Sequence, residues 1–412
     1  MKKNILLLLP LALCFILPGC LKDKLTKTYT ILTPVYKEKT EVYANIKSNA
    51  PRMIESPGKI FLYGNYIFLN EVDKGVHIID NTNPSSPVVK AFINIPGNLD
   101  IAVKGNTLYA DLYADLVVVD IANPLQANFV KHINNIFPAR RYSNGFVADT
   151  NKVIVEWIKK DTTVDINAPC INCSYLTFSS FQGGPMNASA GSGAVGIAGS
   201  MARFSIVNNF MYTVNDRQLS SFNISTADNP VRTTVQQVGS SIETIYPFGN
   251  KLFIGSSAGM FIYDISNPAT PVAQGRFSHA RSCDPVIADG NYAYVTLRSG
   301  STCDGYTNQL DVVNITNLNA PTLAKTYLMT NPYGLTKDNN SLFICDGKSG
   351  LKMYDAANPL DIILKKQLPD IETYDAIAVN GNLLVVAKEG LYQYGYTYPG
   401  TLNFKSRIAV NK

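Results

Sequence analysis

Three features of the sequence predict an all-β fold built from radially repeated sheets. The first is a tight turn of the Gly-Asn, Asp-Gly-Asn or Asn-Asn kind between two β-rich runs. Its second Asn falls at Asn65, Asn106, Asn151, Asn209, Asn250, Asn291, Asn340 and Asn382, in steps of 41 to 58 residues. The second is a strand closed by Asp and then Asn-Pro, as in Gly75–Pro84, Asp115–Pro124, Gly259–Pro268 and Gly350–Pro359. The third is composition: charged residues make up only 16%, while Tyr (23) and Phe (18) are plentiful, a balance that suits sheet packing. A period near 40 made only of short strands is the mark of a closed propeller, because one such sheet cannot bury its faces until neighbours stack on it.

The chain begins with Lys2 and Lys3 ahead of an apolar run, Ile5 to Leu17. That run is too short to span a bilayer and reads as an export signal. It ends at Leu17-Pro18-Gly19-Cys20, which resembles the lipobox of bacterial lipoproteins. The resemblance implies a cleaved signal peptide over residues 1–19 and lipidation of Cys20, with plain secretion as the alternative. Residues 20–40, with Lys22, Lys24, Lys27, Lys37 and Lys39, then read as lipid anchor and polar leash, and 41–412 as the propeller. The expected location is the bacterial cell envelope, at the outer membrane, with the periplasmic or surface face left open. Membrane contact is expected through the lipid alone, since no later run is long and apolar enough to cross. The formal charge of +5 drops by two once Lys2 and Lys3 leave, and the remainder is too small and dispersed for nucleic acid.

Within each repeat, the first half runs into the turn, as in Asp100–Tyr109 and Ala376–Val385. Gly or Asn at the tip supplies the positive φ that a tight hairpin between twisted strands needs. In the second half, the closing Asp or Asn accepts from the next amides along the chain, and the proline denies the ladder a donor, so the strand stops. Weaker copies lie at Leu219–Asn223 with Asn229-Pro230, and at Leu310–Asn314 with Asn317. Leu116-Val117-Val118-Val119-Asp120 is similar to the LVIVD repeat, a propeller-like motif of bacterial and archaeal surface proteins, and in degraded form the resemblance extends over about residues 55 to 400. It implies the fold and is silent on activity, since the family has no common assigned one. A β-solenoid or sandwich is the competing architecture.

Eight turns predict eight blades, or seven if one degenerate unit is an insertion. The irregular unit is Gly145–Ser200. That unit lacks the Asp…Asn-Pro ending and carries a Gly/Ser/Ala-rich tract at 183–200, expected as a loop on one face. Glu41 to Ile46 reads as a strand able to pair with the last blade near Leu402 to Val410 and so close the ring. Gly191-Ser-Gly193-Ala-Val-Gly196 matches a dinucleotide fingerprint in letters only, since no strand precedes it and no helix comes after, and no nucleotide is expected. Cys170 and Cys173 read as a local disulfide in an exported protein. Cys283 and Cys303 flank the hairpin at Asn291 and read as a second one. Cys345 reads as a buried free thiol.

Counting back six or seven residues from each turn Asn lands on the start of the first strand of each unit, which in a propeller lies nearest the axis. Gly58, Lys59, Asp100, Arg203, Glu243, Thr244, Asp284, Tyr333 and Asp375 fall there. With His279 and Arg281 of the cluster His279-Ala-Arg281-Ser-Cys283-Asp284, the candidates for a ligand site at the channel mouth are Asp100, Arg203, Glu243, His279, Arg281, Asp284, Tyr333 and Asp375. Acids, arginines and a tyrosine converging on one mouth suit a cation, an amine or a sugar; solvated strand ends are the plain alternative. No cofactor is expected, although a structural cation such as calcium is compatible with the acids. The reading is a non-enzymatic binding or scaffolding lipoprotein that contacts an envelope protein or a glycan through one propeller face. The alternatives are a propeller hydrolase or lyase with an acidic mouth site, such as an Asp284/Asp375 pair dividing acid and base roles, and a purely structural propeller whose channel is filled with side chains.

Overall fold

The computed structural model describes residues 26–140, 142, 146–165, 197–257, 259–279, 285–300 and 306–411. Cys20, Cys170, Cys173, Arg281, Cys283, Asp284 and Cys303, with the lipidation, disulfides and mouth positions expected of them, lie outside the described residues. The chain divides into two compact units. In the smaller, made of residues up to Pro34, Arg141–Val147 and Trp157–Phe181, Thr30 donates to Asp161 at 2.7 Å. The rings of Tyr142, Phe146 and Trp157 there meet edge to face, with centroids 5.2–5.6 Å apart.

The larger unit is a ring of seven blades, each built on four antiparallel strands in chain order. The innermost strands are Pro57–Tyr63, Ile101–Lys104, Phe204–Val207, Ile242–Phe248, Val286–Asp289, Leu335–Asp338 and Thr373–Val379 for blades 1 to 7. They pack against one another around the axis. The middle strands are near-continuous apolar runs such as Thr107–Leu112 and Ser341–Cys345 and are buried on both faces, whereas outer strands such as Thr322–Leu328 and Ile363–Leu368 are largely exposed. Sheets covered on both sides need such runs; a sheet edge in water does not.

The turn chemistry works as the sequence predicts. Gly105 and Asn208 occupy φ of +55° and +53° at their hairpin tips. The strand-closing Asp80, Asp120, Asn223, Asp264, Asn314 and Asp355 each accept from the amide two residues on. The Asn-Pro turn also ties blades together. Tyr109 of blade 2 donates to the Ala227 carbonyl of blade 3 at 2.7 Å. Tyr212 of blade 3 reaches Pro268 of blade 4, and Tyr327 of blade 5 reaches Pro359 of blade 6. Cys345 is a buried free thiol.

Seven blades form rather than eight because the Asn151 turn leads elsewhere. The turn itself is sound, with the Asn151 amide on Asp149 Oδ1 at 2.9 Å. The strand after it, Lys152–Asp165, pairs with Thr26–Glu38 as a two-stranded ribbon, and the inner strand of blade 2 packs directly on that of blade 3. Thr26–Glu38 is therefore a strand where composition suggests a leash.

Glu41–Ile46 is not the closing strand: Lys39–Ala44 forms a short helix. Its Tyr43 stacks on His132 of blade 2 at 4.2 Å. The ring closes instead through Ile54, which bridges Val410 in parallel and accepts from the Asn411 amide at 2.8 Å. Ser406 bonds the Pro84 carbonyl, Gln393 bonds Asn81, and Ile60, Ile67 and Leu69 pack with Leu384 and Val386 across the seam.

Residues 183–196 of the Gly/Ser/Ala-rich tract, with the loop expected of them, lie outside the described residues, and the end of the tract, 197–200, lies in the channel. Ile197–Ala198 pairs antiparallel with Phe61 and Leu62 on the axial edge of the blade 1 inner strand. Ser200 Oγ accepts from the Leu335 amide of blade 6 at 2.8 Å, and the Ala202 carbonyl accepts from Ile245 of blade 4 at 2.9 Å. Gly199, Ser200 and Ala202 are buried. Small residues are what a chain needs to lie where seven strands converge.

Candidate functional site

The starts of the inner strands meet at one mouth of the ring, above the axial segment. At three of them a β-bulge falls where the side chain must be turned: between Pro57 and Ile60 in blade 1, between Ile242 and Thr244 in blade 4, and between Thr373 and Asp375 in blade 7. Bulges re-aim side chains at such places. Here they affect Lys59, Glu243 and Tyr374.

One arc of the mouth is sealed. Lys59 and Asp100, 6% and 2% exposed, pair at 2.8 Å across blades 1 and 2. Asp100 also accepts from its neighbour amide Ile101 at 2.7 Å and from the Arg203 amide of blade 3. Burial pulls the Lys59 ammonium down, and Asp100 opposes it. Asp111 holds the approach to this pair by accepting from the amides of Leu99 and Asp100 and from Asn98 Nδ2, each at 2.8 Å. Asp375 of blade 7 is fully buried and neither carboxylate oxygen has a hydrogen-bond partner. A Cβ on Gly334 would come within 2.3 Å of its Oδ1. Burial pushes its carboxyl well above the ordinary range, because a dry site penalises the charged form.

The other arc is open. Arg203, Glu243, Arg298, Tyr333 and Tyr374 are each half-buried and succeed one another over blades 3 to 7. Arg298, directly after the second strand of blade 5, lies 4.0 Å over the Tyr333 ring. Tyr333 meets Tyr374 edge-on at 5.4 Å. The loop bearing Tyr333 is pinned by the buried Asp346, which accepts from the Thr330 and Asn331 amides. Thr296 adds a bond to the Tyr333 carbonyl at 2.7 Å. Arg203 Nε is buried without a partner. Glu243 sits in the field of Arg298 and Arg203, yet burial outweighs both and pushes its carboxyl from 4.5 up to about 7.

That shift carries a pH dependence with a definite sign. An unfolded chain releases the Glu243 proton near 4.5 and the native protein near 7, so the native state binds more protons in between. Stability falls as pH rises through that window and then levels. Glu243→Gln is expected to remove this slope and to exceed the parent in stability at pH 8 by on the order of 3 kcal/mol. Urea midpoints at pH 4, 6 and 8 decide it; an unchanged slope in the variant assigns the dependence to another group.

Of the sequence-predicted residues, the structure brings Arg203, Glu243 and Tyr333 to the open arc and places Asp100 and Asp375 behind it. His279 comes directly after the outermost strand of blade 4, its ring 6.2 Å from Phe277. Arg298 and Tyr374 are the residues missed. Among the described residues no three His, Cys, Asp or Glu side chains gather as a metal site.

Profiles of known families match the LVIVD repeat over residues 57–94, 98–134, 245–278 and 280–329. A comparison with curated proteins finds no sequence match. Among solved structures, the fold is similar to the periplasmic gluconolactonase of Pseudomonas aeruginosa, with a TM-score of 0.54 at 9% identity over 86% of this chain and 98% of that one. It is similar to the computationally designed protein Ika8, with a TM-score of 0.52 at 8% identity over 89% and 93%. It is also similar to a protein from Lactobacillus plantarum, with a TM-score of 0.51 at 12% identity over 84% and 98%. At such identities the likeness is one of fold. Repeat match and sheet order agree: the chain carries LVIVD repeats over those four stretches and folds as a seven-bladed β-propeller.

Proposed function

We propose that the protein is a non-enzymatic binding module of the bacterial cell envelope, tethered through a lipid on Cys20 and engaging a glycan or protein partner on the mouth face. The observation that carries this reading is the division of the mouth into two arcs. Acid–base hydrolysis needs two carboxyl groups facing one ligand. Among the described residues the mouth offers one, Glu243, because Asp100 is consumed by Lys59 and Asp375 is shut behind Gly334. What faces outward is a preformed row of arginines and tyrosines, the side chains that dominate recognition surfaces.

The test is calorimetric titration of the full-length protein with envelope oligosaccharides and with candidate envelope proteins, alongside product analysis of each mixture. Saturable binding without turnover, weakened about tenfold or more by Tyr333→Ala, is the expected result. Turnover of a bound glycan, lost in Glu243→Gln, would replace this reading with the hydrolase or lyase alternative.

A further inference from the structure

On the binding reading above, we infer that the open arc is a site for an acidic saccharide, a pyranose that carries a carboxylate. Arg298 and Arg203 both act on the one described carboxyl group there, Glu243. The Arg203 guanidinium is the more telling of the two. Its backbone amide is spent on Asp100, while its Nε is buried with no acceptor. Nε itself is shut from solvent, but the residue is half-buried, and a carboxylate laid on the mouth accepts from the remainder of the planar fork.

A bare anion would satisfy the arginines and leave the rest of the arc unused. Glu243 stands between them with no hydrogen bond to its carboxyl among the described residues, and a sugar hydroxyl can either donate to it or accept from it. Arg298 lies over one face of the Tyr333 ring and Tyr374 meets that ring edge-on, so the two tyrosines form a corner against which the C–H face of a pyranose packs. The floor is closed: Ser200, Met201 and Ala202 are buried in the channel immediately beneath. The site is therefore shallow and takes a sugar residue laid across the mouth, not a chain threaded through the ring.

The experiment titrates the full-length protein with trigalacturonate, with maltotriose as the neutral trisaccharide and with acetate as the bare anion. Trigalacturonate is expected to bind saturably and at least about tenfold tighter than either control. Arg203→Ala and Arg298→Ala should each weaken it about tenfold or more, with Arg203→Lys recovering only part because it lacks the fork. Thermal midpoints close to the parent's identify variants that are folded. Equal binding of maltotriose, equal binding of acetate, or indifference to both arginine substitutions overturns the inference. If no saccharide binds while a purified envelope protein does, and Tyr333→Ala weakens it, the acidic-saccharide inference falls and the binding-module reading stands. If trigalacturonate is cleaved, both fall.

Discussion

Asp100→Ala is expected to lower the stability of the propeller by about 3–5 kcal/mol, among the largest effects of any single polar substitution in it. The carboxylate holds the Lys59 ammonium in a buried ion pair, and it accepts two backbone amides from two strands as well. Its removal strands a buried cation at the junction of three blades. The double variant Lys59→Met/Asp100→Leu is expected to recover most of the loss, since a buried ion pair can be exchanged for apolar groups at little net cost once neither charge is left alone. Urea denaturation of the four proteins in the cycle measures the coupling. Near-additive losses would mean that Asp100 matters through its amide acceptors and not through Lys59.

Gly350→Ala is expected to cost about 3–5 kcal/mol by a different route, combining backbone strain with a forced overlap. Gly350 opens the third strand of blade 6 at φ +85°, and a Cβ there would lie 1.8 Å from the Leu368 carbonyl oxygen. Leu368 cannot retreat without breaking its pairing with Leu351. Gly105→Ala is the control. At φ +55° with nothing within 4 Å of its Cβ, it bears the conformational penalty alone, about 1 kcal/mol. Equal midpoint shifts for the two variants would show that the overlap is relieved and that only φ matters.

These two positions also show what could be read from the sequence and what could not. A Gly-Asn tip reports a hairpin, and the related Asn151 tip reports one just as Asn106 does. Whether the hairpin joins a blade depends on the next strand and its ending. Asp120 and Asn123 end a strand and return the chain for a fourth, whereas nothing after Lys152 does so. The missing Asp…Asn-Pro ending was thus the readable sign of seven blades. Counting back from the turns found Lys59, Asp100, Arg203, Glu243, Tyr333 and Asp375 because inner-strand register is periodic. It could not find Arg298, which sits at the far end of a second strand, beyond Leu297. Nor could it tell open from sealed. That Lys59 neutralises Asp100 and that Gly334 covers Asp375 are facts of contact between blades, and no spacing along the chain encodes them.

The strand in the channel changes how the ring should come apart. Repeat proteins behave as one-dimensional arrays in which each unit feels only its neighbours, so unfolding can begin at an end and travel inward. Residues 197–202 bond to blades 1, 4 and 6, none of which adjoin one another. They act as a hub to which distant spokes are fixed, so the loss of one blade removes support from two others across the axis. Opening free energies across the ring should then cluster near the global value instead of grading outward from the seam, which makes the propeller one cooperative unit despite its modular sequence.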